Sequence, residues 1–139
     1  MSGWVWFRVI TARLAEPAAI TALQIGSHFL AACAGALVIL GAFPYLFSGI
    51  SPAVAFCVGL VLMAGGVLGV GACYRGVWWV ERVALVLVGL GWLLLVPSVV
   101  AVDLHVMFKA FIFIMLAVAL FDVGKRYRRI DWAYLDPTK

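Results

Sequence analysis

The chain contains no asparagine and a single glutamine, Gln24, and only 12% of its 139 residues are charged. Soluble domains carry roughly twice that share of charge. Catalysis needs polar groups that converge on one point, and this composition offers few, so no enzyme is expected. No nucleophile and base fall at a telling spacing, and the 14 glycines lie in apolar runs rather than in a phosphate-cradling loop after a strand. Three cysteines, Cys33, Cys57 and Cys73, share no metal-ligand spacing and fall inside apolar runs. They read as small buried residues, so no disulfide, metal or cofactor is expected.

Apolar residues make up 67% of the chain, and mean hydropathy is +1.18. They lie in four blocks, about 18–41, 53–73, 77–102 and 106–123. Each block reaches or approaches the ~20 residues that cross a hydrocarbon core of about 30 Å. Backbone groups cannot stay unpaired in lipid, and alternation with period two is absent, so the spans are helices. The expected architecture is an all-α membrane protein: a four-transmembrane-helix bundle over 17–124, preceded by an interfacial amphipathic segment at 1–16 and followed by a basic, aromatic tail at 125–139.

Charge sets the orientation. With four spans, one side holds the N-terminus, the turn between the second and third helices, and the tail. That side carries Arg8, Arg13, Arg75, Arg82, Lys125, Arg126, Arg128, Arg129 and Lys139, and the other carries only Lys109. Positive residues mark the cytoplasm, so both termini are expected inside a bacterial cytoplasmic membrane. The cluster "KRYRR" directly after the last span explains the net charge of +4 by attraction to anionic headgroups rather than to nucleic acid. Arg8 and Arg13 stand among Trp4, Trp6 and Phe7, a pattern that suits a segment lying flat in the headgroup layer.

Glu81 and Arg82 lie just inside that interface, where both can snorkel. Arg75 and Arg82 are the neighbours in sequence that could pair with Glu81, and Asp122 precedes Arg126 at helical ion-pair spacing. An interfacial ion cluster is the plain reading of Glu81; a proton-relay carboxylate is the alternative. Pro97 interrupts the third block and predicts a kink.

The first span holds "QIGSHFLAACAG", Gln24 to Gly35. Thr21, Gln24 and His28 share a helical face with Ser27 beside them, and counting from Pro17 puts His28 about 16 Å deep, near the midplane. An imidazole there needs a partner: Gln24 one turn earlier, a neighbouring helix, or a handled proton or ligand. Haem ligation by both histidines of one chain is not expected, because His105 falls in the outer loop, while His28 paired with a methionine or with a second subunit stays open. "LAAC" has the look of a lipoprotein processing site, but the run continues as "AGALVILGAF" and the segment stays a span. Small residues at Ser27, Ala31 and Gly35, and at Gly65 and Gly69, are expected to form helix-packing stripes, within the bundle or in a dimer.

The stretches "TARLAEPAAITALQ", "GVWWVERVALVLVGLGW" and "RYRRIDWAYLDP" resemble small four-span membrane proteins encoded by phages of actinobacteria, often termed holins. The resemblance spans most of the chain and implies a lysis function: self-association in the host membrane, then a timed lesion. It brings no catalytic residues. No span has a long hydrophilic face, which fits depolarisation, or regulation of another holin, better than a wide aqueous pore. Two other classes remain open: an accessory subunit packing against another membrane protein, and a small redox or quinone-associated protein using His28.

Overall fold

The computed structural model describes residues 18–135, with the side chains of Ala18 and of 132–135 left out of the description. The expected surface segment at 1–16, with Arg8 and Arg13, lies outside the described residues. Five helices follow in order: α1 (Ala18–Ile39), α2 (Pro52–Arg75), α3 (Trp78–Leu94), α4 (Val96–Ala101) and α5 (Val106–Leu135). No strand occurs among the described residues. Four stretches are long and apolar enough to cross a membrane: α1, α2, α3 with α4, and α5. The protein is thus an all-helical bundle of four candidate membrane spans.

Helix boundaries follow from local chemistry. Ser51 accepts a hydrogen bond from Ala53 N at 3.3 Å, and Pro52 sits in the first turn, where its missing N–H costs nothing. At the other end of α2, Gly76 takes φ 68° and ψ 28°, and Val77 N donates to Ala72 O at 3.0 Å. This Schellman closure ends α2 so abruptly that α3 starts at Trp78. Pro97 has no N–H for the carbonyl of Leu93, and the ladder tightens as Leu95 N donates to Trp92 O at 3.2 Å. That is the break between α3 and α4. In the loop before α5, His105 Nδ1 accepts from Met107 N at 3.4 Å, so this histidine caps a helix start.

The fourth block does not stop near 123. It continues through "KRYRR" as helix to Leu135, so the segment after the span is a helical extension rather than a separate surface piece. Arg, Lys and Leu are good helix formers, and nothing in 124–135 punctuates the run except Gly124.

Helices α1 and α2 touch through backbone. A Cβ on Gly35 would overlap Met63 N and Gly59 O, one on Gly59 would meet Gly35 O and Ile39, and one on Gly66 would overlap Ala32 N and His28 O. Gly65 instead faces Leu87 and Val88 of α3, and Gly91 of α3 receives Leu62. The small residues of α2 therefore serve two neighbours within the bundle. Ala31 and Gly35 are buried as expected, whereas Ser27 is exposed. Eight residues of helix drift about 80°, so a stripe of strict four-residue spacing cannot hold one face; the contact face runs through His28, Ala31, Ala32 and Gly35.

Toward the outer loop, Val58, Leu62, Leu95, Val99 and Leu116 form an apolar core, with Leu46 and Phe47 of the loop packed on it. Helix α5 leans on α3 and α4, and Leu116, Arg126 and Ile130 are its only buried residues among those described. An apolar cleft of about 370 Å³, lined by Ala34, Val38, Trp92, Leu95, Ile112 and Met115 among others, separates α5 from α1.

The glycine contacts predict a graded response to alanine. Gly66→Ala and Gly35→Ala should lower the melting temperature of the detergent-solubilised protein, because the added methyl meets backbone. Gly26 and Gly71 face open space. Alanine there should leave stability unchanged or raise it by up to about 1 kcal/mol from helix propensity.

Candidate functional site

The α2–α3 end of the bundle collects polar side chains from four helices. The first turn of α3 supplies Glu81, which is 5% exposed and does not snorkel. Its carboxylate is held by Arg126 of α5: Nε donates to Oε1 at 2.6 Å and Nη2 to Oε2 at 3.2 Å. Neither Arg75 nor Arg82 takes this place, and Arg126 reaches across the bundle to Glu81 instead of serving as the helical partner of Asp122. Lys125 pairs with Asp122 at 3.5 Å. A carboxylate that leaves water gains most from a planar, two-pronged donor, which explains why the guanidinium is drawn inward. Arg126 is thus buried, not at the membrane surface, while Arg75, Lys125, Arg128 and Arg129 are exposed.

Arg82 makes a second link between α3 and α5. Its Nη2 lies 2.9 Å from Tyr127 Oη and 2.8 Å from Asp131 Oδ1, and its guanidinium carbon lies 4.8 Å from the centre of the Tyr127 ring. Glu81 and Arg82 are adjacent but point to different partners on α5, so the two helices are pinned at two heights.

Helix α1 brings His28, which is 2% exposed. Its ring lies flat against Gly69 of α2, where any Cβ would occupy the ring's position. Gln24 Nε2 stands 3.3 Å from His28 Nε2. With the amide nitrogen donating, the ring nitrogen accepts, and a neutral imidazole then carries its proton on Nδ1. Of the partners weighed for His28, the structure supplies Gln24, one turn away on its own helix. Opposite Gly69, His28 is six residues from the end of α2, about 9 Å along the axis. It belongs to the half of the bundle near the α2–α3 turn rather than the midplane, because α1 begins beyond the end of α2.

Cys73, one turn after Gly69, completes the group. A ring nitrogen of His28, Sγ of Cys73 and a carboxylate oxygen of Glu81 all lie within 4.8 Å of one another, and all three residues are buried. None of the cysteines is in a disulfide. Cys33 is partly buried, and Cys57 is exposed on the outer face of α2 rather than buried.

No family model, curated protein or solved structure matches the chain. The site thus rests on its own geometry. Gln24 and His28 stood out in the sequence as polar residues in an apolar run, but Cys73, Glu81 and Arg126 did not join them there. Register holds the missing signal. A turn of two residues between α2 and α3 sets Cys73 and Glu81 on facing helices, and the glycine contacts bring His28 opposite Gly69.

The ion pair predicts strong non-additivity. Arg126→Leu alone should destabilise the detergent-solubilised protein by about 3–5 kcal/mol, because it leaves a buried carboxylate without its cation. Combined with Glu81→Leu, most of that loss should be recovered. Thermal denaturation of the two single variants and the double variant measures the coupling, and equal, additive losses would refute it.

Proposed function

We propose that the protein is a non-enzymatic, holin-like membrane protein that self-associates in the bacterial cytoplasmic membrane, with both termini inside, and depolarises it during phage lysis. The observation that carries the reading is the incomplete closure of the bundle on the α5 side. Helix α5 exposes Phe108, Phe111, Ile114, Val118 and Phe121, and the apolar cleft runs between it and α1. Ala31, Gly35, Gly65 and Gly69 are consumed by contacts within the chain. A second copy therefore meets α5 and the cleft rather than the small-residue stripes.

No polar path runs along the bundle among the described residues: its outer half is packed with valine and leucine, and the ionic cluster is confined to one end. A lesion in this reading forms between copies. The one-sided basic charge supports the orientation, with Arg75, Arg128 and Arg129 exposed to meet anionic lipid.

The same α5 face suits a second reading, an accessory subunit seated against another membrane protein. Inducible expression in a bacterium, with membrane potential and viability followed over time, separates the two. Self-association for lysis gives abrupt depolarisation after a delay, and Phe111→Ala with Phe121→Ala should lengthen that delay. Hours of normal growth at full membrane levels would refute lysis and favour the subunit reading.

A further inference from the structure

The ion pair, the Gln24 contact and the bed on Gly69 place Glu81, Arg126 and the imidazole of His28, and Cys73 is buried beside them one turn after Gly69. What the thiol adds is a soft donor, placed with an imidazole and a carboxylate within 4.8 Å of one another in a water-poor interior. Nitrogen and sulfur ligands stand about 2.0 to 2.3 Å from a bound transition metal, so two donors facing each other across an ion are about 4.3 Å apart. Small side-chain adjustments bring this group to that geometry; a ligating Nε2 exchanges its Gln24 contact for the ion, and a ligating Nδ1 passes its proton to Nε2, where the Gln24 amide turns its oxygen to accept it. Gly69 fixes the ring from behind, since the ring occupies the volume a side chain would need there.

Charge selects the ion. Thiolate and imidazole donors favour Cu(I) and Zn(II) among the common metals. Glu81 and Arg126 cancel in charge through two hydrogen bonds, so these two side chains with a neutral His28 and a protonated Cys73 sum to zero. Cu(I) replaces that proton: the S–H bond breaks, an S–Cu bond forms, a proton leaves to water, and the net charge stays at zero. A divalent ion in the same exchange leaves one positive charge in a medium that penalises it heavily.

We propose that Cys73 and His28, with Glu81 held beside them by Arg126, bind one Cu(I) ion at the α2–α3 end of the bundle. This assignment is independent of the lysis reading. The site is one to two helical turns from the end of α2, within reach of ions from the aqueous phase.

The test uses the full-length protein in detergent, with Cys33→Ser and Cys57→Ser so that Cys73 is the only thiol. Titration with Cu(I) under anaerobic, reducing conditions, against a chromophoric Cu(I) chelator, should show one equivalent withdrawn per chain. Cys73→Ser and His28→Gln should each weaken binding by at least about 100-fold. X-ray absorption of the loaded protein should show one sulfur and at least one nitrogen or oxygen ligand, and equimolar Zn(II) should not displace the copper. Cys73→Ser changes one atom and should melt as its parent does, so its loss of binding reports the ligand. Failure to compete with the chelator, copper retained by Cys73→Ser, or displacement by Zn(II) would each overturn the assignment.

Discussion

Close approach of α1 to α2 is the constraint on which the remaining contacts depend. Two helices in lipid gain nothing from hiding apolar surface, because the tails around them are equally apolar; they gain from dispersion between surfaces that fit. Gly35, Gly59 and Gly66 remove the side chains that would hold the axes apart, so backbone meets backbone along two turns. Gly69 extends the same face by one more turn, but there the gap is filled by an imidazole. The position of His28 is thus a consequence of helix packing, and with it the distance from α1 to Cys73 and Glu81.

Helix α5 obeys a different constraint. Lacking a small-residue face toward α1, it is tied to the bundle by charge at one end and by side-chain packing at the other. Glu81 with Arg126 and Arg82 with Asp131 hold its extension beyond the apolar run, and Leu116 with Ile112 and Phe113 meets the core near the outer loop. The cleft lies beside the outer attachment, and Leu62, Leu95, Ile112 and Leu116 line both. Its lining is almost wholly apolar, so it costs nothing in lipid and would be unstable in water.

Much of this was legible in the sequence, for reasons that differ from residue to residue. The four spans were visible because hydrocarbon thickness fixes both length and composition, and the end of α2 because Gly76 precedes two interfacial tryptophans. The inward faces of Ala31, Gly35, Gly65 and Gly69 followed from their size. Ser27 was misplaced because four-residue spacing drifts around a helix. Glu81 and Arg126 were given local partners, since proximity in sequence is the only proximity a sequence displays; their true separation is 45 residues. Cys73 looked inert for the same reason, its neighbours in space being on α1 and α3.

The polar groups of the bundle are sorted by depth, and the sorting has a physical cause. A buried carboxylate is tolerated only where its cation can be supplied, and the described cations other than Lys109 stand at the end where α2 meets α3 and α5 leaves the span. Glu81 lies there in the first turn of α3, where a negative charge also complements the helix dipole. His28 and Gln24 need each other and a dry, close-packed surface, which α2 offers from Gly66 to Gly69. Among the described residues the outer half has no cation except Lys109, whose Nζ donates to Val100 O at 3.3 Å near the end of α4, and it holds an apolar core instead. One end of the bundle is therefore fixed by directional bonds and the other by shape. Movement of α5 that left the ion pairs intact would pivot about the directional end and open or close the cleft at the other.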